Sequence, residues 1–298
     1  MKVIDLIDRT TLHGTYFALG AYLFWGVSPI YFKWINHVSA EEILSHRIIW
    51  AFILLIAILA YTGDLDRLKV PLRILPKILV TAMLLCFNWL VFIYAVLNNQ
   101  ITEAALGYFI NPLVTLFLGV VFLKEHMRPL QWIAVMIAAS GIILQLLLFG
   151  AIPWLALGLA FTFGFYGLFR KSLNLHAVAG LAIETAMIVP FALTYLIWSL
   201  AQGVLTFGDD HAIDGLLMLG GLVTAFPLLC FAAAVKRLSL VAIGLLQYIS
   251  PSMSLVLAIY LYGEPFDMGR MISFGFIWVA LVVFSVETWH HQRKMQHF

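Results

Sequence analysis

The sequence predicts an all-α integral membrane protein with ten transmembrane helices, arranged as two inverted five-helix repeats with both termini in the cytoplasm. Three observations predict this fold. The chain of 298 residues is 63% hydrophobic and only 11% charged, whereas soluble domains carry about 25% charged residues. Apolar stretches of about 20 residues, long enough to cross a bilayer core as helices, follow one another along the chain. The second half also repeats features of the first at a nearly constant offset.

The apolar stretches are separated by short connections, so consecutive helices are expected to be antiparallel neighbours. Helices are favoured over other structures because backbone amides in lipid must find their hydrogen-bond partners within the segment. The spans are expected at 13–34, 43–62, 75–97, 102–122, 129–149, 152–170, 178–199, 213–235, 240–262 and 270–290.

The positive charges predict the orientation. If the N-terminus is cytoplasmic, all but three of the 17 Lys and Arg residues fall in cytoplasmic segments or at cytoplasmic helix ends; the exceptions are Lys33, Arg47 and Arg270. This asymmetry is typical of membrane proteins, whose cytoplasmic loops are enriched in Lys and Arg. The net charge of +2 is therefore an orientation signal, and nucleic acid is not an expected partner.

The repeat is clearest in two broken apolar stretches. AALGYFINPLVTLFLGVVFLKE at 104–125 recurs as VAIGLLQYISPSMSLVLAIYLYGE at 241–264, with Asn111-Pro112 matching Ser250-Pro251. Each copy ends in a Glu, Glu125 or Glu264, which we expect to cap or terminate a helix near an interface.

The two halves are expected to be residues 1–150 and 151–298, forming one structural unit. Because each half has five helices, an odd number, the second half enters the membrane in the opposite sense. Inverted repeats of this kind are common in secondary transporters, whose substrates bind near the bilayer midplane between the halves.

Three segments carry a family resemblance: GTYFALGAYLFWGVSPIYFK at 14–33, HRIIWA at 46–51 and FNWLVFIYAV at 87–96. They resemble the EamA branch of the drug/metabolite transporter superfamily and, within it, the RarD family of chloramphenicol-sensitivity permeases. The resemblance implies a multi-pass protein of the bacterial inner membrane that moves a small organic solute or drug by alternating access, with export favoured. It also implies binding between helices 3, 4, 8 and 9, with helices 1, 6 and 7 closing the cavity.

Glu184 is the clearest functional candidate, because an ionisable group inside a span is costly. It lies about two turns into helix 7, and no cation stands within a helical turn of it in the sequence. The sequence supports two interpretations. The carboxylate couples transport to protons or contacts a substrate amine, or it is a neutral carboxyl group bonded to a neighbouring helix.

Arg47 lies about one turn below the outer end of helix 2. It is a candidate for bidentate binding of an anionic or carboxylate-bearing substrate. The alternative is an arginine that extends to the interface or pairs with Glu42 or Glu103.

Aromatic and amide side chains inside the spans are candidates for lining a solute site. Alternatively, the aromatics pack helices together and the amides bond across helix interfaces. The candidates are Trp25, Asn88, Trp89, Tyr108, Asn111 and Gln247.

Pro112 and Pro251 are the candidate hinges. A proline inside a helix removes a backbone hydrogen bond and bends the helix, so paired prolines would give each half a bend about which other helices rock. The alternative is a static kink that only shapes the packing.

No phosphate-binding loop, zinc-protease motif or nucleophile elbow is present, so neither ATP-driven pumping by this chain alone nor an enzymatic activity is expected. We expect no cofactor or metal. The expected partners are a small-molecule solute and the lipid bilayer, with protons as the candidate coupling ion. The alternatives are an uncoupled facilitative permease and, more remotely, an intramembrane lipid-modifying enzyme or scramblase.

Overall fold

The computed structural model describes residues 3–123, 128–149, 152–173, 175–235, 237–238 and 246–296. These residues form helices and connecting turns, and no β-strand occurs among them, so the all-α prediction is confirmed. In chain order the helices are α1 (Val3–Trp34), α2 (Ala40–Thr62), α3 (Leu75–Leu97), α4 (Ile101–Leu123), α5 (Pro129–Phe149), α6 (Trp154–Leu173), α7 (Ala177–Ala201), α8 (His211–Val235), α9 (Ile249–Val256) and α10 (Met268–Gln296). Two 3-10 turns, Leu65–Leu68 and Leu72–Ile74, connect α2 to α3, and a π-helical turn, Leu257–Leu261, extends α9.

Several described helices are long and apolar enough to cross a membrane. There are six of them: Ala40–Thr62, Leu72–Leu97, Ile101–Phe122, Ala177–Ala201, His211–Phe231 and Met268–Glu287. Shorter apolar helices occupy Pro129–Leu144, Trp154–Arg170 and Ile249–Leu261. The protein is therefore a multi-pass membrane protein, while the count of ten spans and the cytoplasmic termini remain predictions.

The helix contacts repeat between the two halves of the chain. Helix α1 packs against α8 and α9, and its counterpart α6 packs against α3 and α4. Three further contacts join a helix to its own counterpart: α2 to α7, α4 to α9 and α5 to α10. Two similar halves that exchange contacts in this way are related by a pseudo-two-fold arrangement.

Helices α2 and α8 approach each other closely because α8 presents a glycine at the contact. A Cβ atom at Gly221 would lie 2.6 Å from the carbonyl carbon of Trp50. Small residues at such positions allow membrane helices to pack backbone against backbone. This contact places α2 directly against α8 near Trp50.

Carboxylates fix the helix ends. Glu264 accepts hydrogen bonds from the backbone N–H groups of Ile101 (2.7 Å) and Thr102 (2.8 Å), so it caps the N-terminus of α4. The free N–H groups of a helix N-terminus favour such an acceptor. The prediction that Glu264 caps a helix is confirmed, and the helix lies in the other half. Glu125 and residues 241–245 lie outside the described residues.

The two prolines occupy different positions. Pro112 lies in the interior of α4, which is continuous from Ile101 to Leu123, whereas Pro251 lies in the first turn of α9 after a turn at Tyr248. A proline is tolerated in a first turn, where its missing N–H has no intrahelical acceptor. Helices α4 and α9 contact each other, and each also packs against a helix of the other half, α4 against α6 and α9 against α1. The hinge role of the prolines remains a prediction.

Candidate functional site

Glu184 is held inside the bundle by groups from two other helices. Its side chain is 1% exposed. Oε1 accepts a hydrogen bond from Thr81 Oγ1 on α3 (2.8 Å), and Oε2 accepts one from Tyr166 OH on α6 (3.3 Å). The carboxyl group thereby ties α3, α6 and α7 together.

A cation also faces Glu184. Arg170 Nε on α6 lies 3.6 Å from Glu184 Oε1, and Arg170 Nη2 donates to the backbone carbonyl of His176 (3.4 Å). Gly180 makes room for this arginine, because a Cβ atom there would overlap the guanidinium. In the sequence no cation stands within a helical turn of Glu184, and Arg170 was interpreted as an orientation signal. The structure adds a cation from the preceding helix, and it agrees with the alternative in which the carboxyl group bonds to neighbouring helices.

Arg47 is buried on α2, and no counter-charge pairs with it in the described part of the chain. It is 6% exposed, and Nε donates to Thr224 Oγ1 on α8 (2.5 Å). The Cζ atom lies 4.6 Å from the ring centroid of Trp89 and 5.5 Å from that of Phe32. Among the described residues, Nη1 has no hydrogen-bond partner.

The acidic partner expected for Arg47 is engaged elsewhere. Both carboxylate oxygens of Glu42 accept hydrogen bonds from the backbone N–H of Thr206 (3.0 and 3.2 Å), and Oε1 also accepts one from the N–H of Phe207 (2.9 Å). No ion pair within the described ranges joins Arg47 to Glu42 or Glu103. The expected interfacial pairing is therefore wrong, because Arg47 points into the bundle and Glu42 caps a loop of the other half.

A small gap lies beside Glu184, and Arg47 is connected to its wall only through Trp89. We call it the α2–α3–α7 gap; its lining residues are Ile48, Ala82, Leu85, Cys86, Trp89, Glu184, Thr185 and Ile188. The gap has a volume of about 10 Å³, which is room for about one water molecule and far below the roughly 300–1,000 Å³ of typical small-molecule pockets. Trp89 links its wall to Arg47, and Glu184 forms the wall itself. Helix α2 was not among the helices expected around the solute.

Two of the three predicted amides, Asn88 and Asn111, bond across helix interfaces. Asn88 Nδ2 donates to the Leu159 carbonyl (3.0 Å) and to Thr162 Oγ1 (2.9 Å), and Asn88 Oδ1 accepts from Tyr108 OH (3.2 Å). Asn111 Nδ2, on α4, donates to the Ala160 carbonyl of α6 (3.0 Å). These groups therefore brace α3 and α4 against α6, and of the expected lining residues Trp89 is the one that borders the gap.

The remaining candidates lie apart from the gap. Trp25 packs against Tyr22 and Phe231, with ring centroids 5.8 and 5.9 Å apart. Gln247 is half-buried just before α9. Neither lines the gap, and their roles in solute binding remain predictions.

The sequence reasoning missed four polar partners of the buried charges. They are Thr81, Tyr166, Arg170 and Thr224. A single Thr or Tyr within a span commonly bonds to its own helix or packs as an aromatic, so its residue type alone carries no signal of such a contact. Only the positions of the neighbouring helices identify these four.

Comparison with known proteins agrees with this architecture. The EamA-like transporter family matches residues 12–147 and 151–286. An uncharacterized transporter of Vibrio cholerae is 47% identical over 283 residues, covering 92% of each chain. Protein RarD of Salmonella typhi is 44% identical over 291 residues, covering 96% of this chain and 99% of its own.

A solved crystal structure supports the same fold at much lower identity. It is 17% identical and superposes with a TM-score of 0.59 over 94% of this chain and 97% of its own, a likeness that concerns the fold alone. The family matches and the relatives named RarD confirm the resemblance stated from the sequence. The chain belongs to the EamA-like transporter family, whose members are membrane transport proteins.

Proposed function

We propose that the protein is a secondary transporter that exports a small organic solute across the cytoplasmic membrane by alternating access. In this proposal ten helices span the membrane, and residues 1–150 and 151–298 form inverted halves with both termini in the cytoplasm. The direction of export follows the resemblance to drug/metabolite carriers.

One observation carries the proposal: a narrow gap with a buried carboxyl group in its wall lies where the two halves meet. Helices α2 and α3 of the first half form one wall of the α2–α3–α7 gap, and α7 of the second half forms the other. In carriers built from inverted repeats the solute binds at this kind of boundary. The small volume suits a conformation between the inward-open and outward-open states.

Contacts between the halves at one end of the bundle support alternating access. Glu42 of the first half holds backbone N–H groups of the second, and Glu264 of the second half holds backbone N–H groups of the first. Lys33 Nζ donates to Asn99 Oδ1 (2.6 Å) and lies 5.3 Å from the Tyr262 ring centroid, so these contacts share one end. They must break before that end opens.

The surroundings of Glu184 support protons as the coupling ion. Thr81 Oγ1 lies 2.8 Å from Glu184 Oε1 and 2.8 Å from the Ile78 carbonyl, yet a hydroxyl has one proton. It donates to Glu184 when the carboxylate is ionised. When Glu184 is protonated, the hydroxyl turns to Ile78 and accepts from the carboxylic acid. Both protonation states thus have a complete set of partners.

An uncoupled permease is the second candidate, and the Arg170 contact favours it. A carboxylate that is paired with a cation at 3.6 Å has a structural role without any proton transfer. Flux of a transported compound in proteoliposomes separates the two. Proton coupling predicts that a pH gradient drives flux and that Glu184→Gln abolishes this drive, whereas an uncoupled permease is insensitive to both.

Alternating access is testable before a substrate is known, because Cys86 borders the gap. In a Cys230→Ser background, a membrane-impermeant thiol reagent should label Cys86 both in right-side-out and in inside-out vesicles. The matched control carries Cys86→Ser and retains Cys230 on α8. A Cβ atom placed on Gly20 would lie 4.0 Å from the Sγ atom of Cys230. Labelling of Cys86 from one face only, under every condition, would contradict alternating access.

A further inference from the structure

Arg47 is an unusual buried cation. Four of the described Lys and Arg side chains form ion pairs: Arg67, Lys69, Arg128 and Arg170. Arg47 is 6% exposed and has no such partner within the described residues. A buried charge without a counter-charge costs several kcal/mol, so the fold retains here a group that its own contacts do not satisfy.

The contacts of Arg47 restrict how it meets a ligand. Trp89 and Phe32 rings lie over the guanidinium, and Thr224 accepts from Nε. The Nη1 N–H groups are buried and have no partner among the described residues. What the guanidinium offers is therefore its planar edge, which matches a carboxylate in bidentate geometry.

Two more buried nitrogens have no hydrogen-bond partner among the described residues and lie within one turn of Arg47 on α2. They are His46 Nε2, on the residue next to Arg47, and Trp50 Nε1, three residues from Arg47 and therefore on the same helix face. Buried polar atoms without a partner are rare in folded proteins. Three of them occur within five consecutive residues, so this segment carries buried polar atoms that the described contacts of the fold do not use.

The charge balance selects among anions. The described structure places no second Lys or Arg against Arg47, while Trp89 and Ile48 connect it to the mostly apolar α2–α3–α7 gap. A phosphate dianion needs more than one cation, whereas one guanidinium balances a monocarboxylate. The gap wall formed by Leu85, Cys86 and Ile188 suits an apolar remainder.

We propose that Arg47 binds the carboxylate of a small, mostly apolar monocarboxylic acid, and that the remainder of the acid enters the α2–α3–α7 gap when α2, α3 and α7 move apart. This inference rests on the proposed transport function and names the substrate class. Trp89 positions the guanidinium from one face, Thr224 holds its Nε, and Nη1 donates to the acid.

The test measures thermal stabilisation of the purified full-length protein by benzoate and hexanoate, compared with benzamide, benzylamine and phenyl phosphate. A ligand of the folded state raises the melting temperature, by about 2 °C at about tenfold excess over Kd for a chain of this length. The two acids should stabilise the protein, while the amide, the amine and the phosphate should not. Stabilisation by the amide equal to that by benzoate, or none by either acid, would overturn the proposal.

Variants locate the site. Arg47→Met should weaken benzoate binding at least about tenfold, because a charge-assisted bidentate contact is lost. The benzoate affinity of Arg47→Lys should lie between that of Arg47→Met and that of the wild type. This variant keeps the test decisive if Arg47→Met does not fold. The matched control is Arg237→Met, since Arg237 also lies over an aromatic ring (Phe17, 5.2 Å) but is exposed. Undiminished binding in both Arg47 variants would overturn the assignment.

Failure of this inference and failure of the transport function give different results. Benzoate binding that depends on Arg47 but is not accompanied by benzoate flux in proteoliposomes would contradict the transport function. The assignment of Arg47 as a carboxylate site would then still hold. Flux of a compound that has no carboxylate, at a rate that Arg47→Met does not change, would contradict the assignment of Arg47 as a carboxylate site. The transport function would then still hold.

Discussion

Glu184 and Arg47 occupy matching places in the two halves of the molecule and have opposite surroundings. Each lies seven residues after the first residue of its helix, α7 from Ala177 and α2 from Ala40, which is about 10 Å along the axis. The two helices run antiparallel, since Ser39 before α2 contacts Tyr195 late in α7 (3.1 Å). One half thus carries a buried anion about 10 Å from one end, and the other a buried cation about 10 Å from the opposite end.

The two side chains differ in the groups that neutralise their charges. Glu184 has a hydroxyl at each oxygen and a guanidinium nearby, all from this chain. Arg47 has one hydroxyl, two aromatic rings and no counter-charge among the described residues. Burial alone therefore does not distinguish a structural charge from a ligand-binding one. We infer that groups of the fold balance the charge of Glu184 at rest, whereas Arg47 awaits a partner from outside the fold.

The largest expected effect is on the Glu184 side. Arg170→Met should lower the free energy of unfolding by about 3 kcal/mol, because removing one member of a buried pair leaves the other charge uncompensated. Titration of the detergent-solubilised protein with SDS measures this change. The control is Arg67→Met, because Arg67 is exposed and its partner Asp64 is only half-buried, and this variant should lose less than about 1 kcal/mol. Equal losses in both variants would show that the Glu184 contact is not a buried pair in energetic terms.

A smaller effect is expected at Gly180. Gly180→Ala places a Cβ atom against the Arg170 guanidinium, so the arginine must move away from Glu184 and stability should fall by about 1–2 kcal/mol. Gly167→Ala on α6 is the matched control, because a Cβ there meets nothing within 4 Å. It should be neutral or stabilising, as alanine favours helix over glycine. The same SDS titration compares them, and a Gly180→Ala protein as stable as the wild type would contradict the packing argument.

The smallest stability change is expected on the Arg47 side. Thr224→Val removes the hydroxyl that accepts from Arg47 Nε and should cost less than about 1 kcal/mol, in line with single bonds in membrane bundles. Benzoate affinity, measured by titration calorimetry, should nevertheless fall by about 3- to 10-fold, because the guanidinium loses its orientation. A change in stability without a change in affinity would assign Thr224 to the fold alone.

The sequence was sufficient for the helix positions. The expected spans at 75–97 and 129–149 coincide with Leu75–Leu97 and Pro129–Phe149, because hydropathy marks where apolar segments begin and end. Helix α1 differs, since it starts at Val3 and not near residue 13. Hydropathy detects only the apolar part of a helix, and nothing in the first ten residues, such as a proline, stops the helix from extending beyond it.

The site was less predictable, because its contacts join helices that are distant in the sequence. Glu184 and Arg47 were both recognised as unusual buried charges. Bonding of Glu184 to neighbouring helices was among the predicted alternatives, whereas its cation partner Arg170 and the Thr224 contact of Arg47 were not. Arg170 stands 14 positions before Glu184 and meets it only when α6 packs beside α7, whereas Glu42 lies near Arg47 in the sequence but faces a loop of the other half. Local spacing identifies such charges, and only tertiary packing decides their partners.

The most direct test of the central claim compares Glu184→Met with Arg47→Met in the absence of any ligand. The measurement is the free energy of unfolding by SDS titration of both purified variants beside the wild type. Glu184→Met should be destabilised by about 3 kcal/mol, since it leaves Arg170 uncompensated. Arg47→Met should be as stable as the wild type or more so, because it removes a buried charge that no contact balances. Equal destabilisation of the two variants would show that Arg47, like Glu184, serves the fold, and would contradict the account.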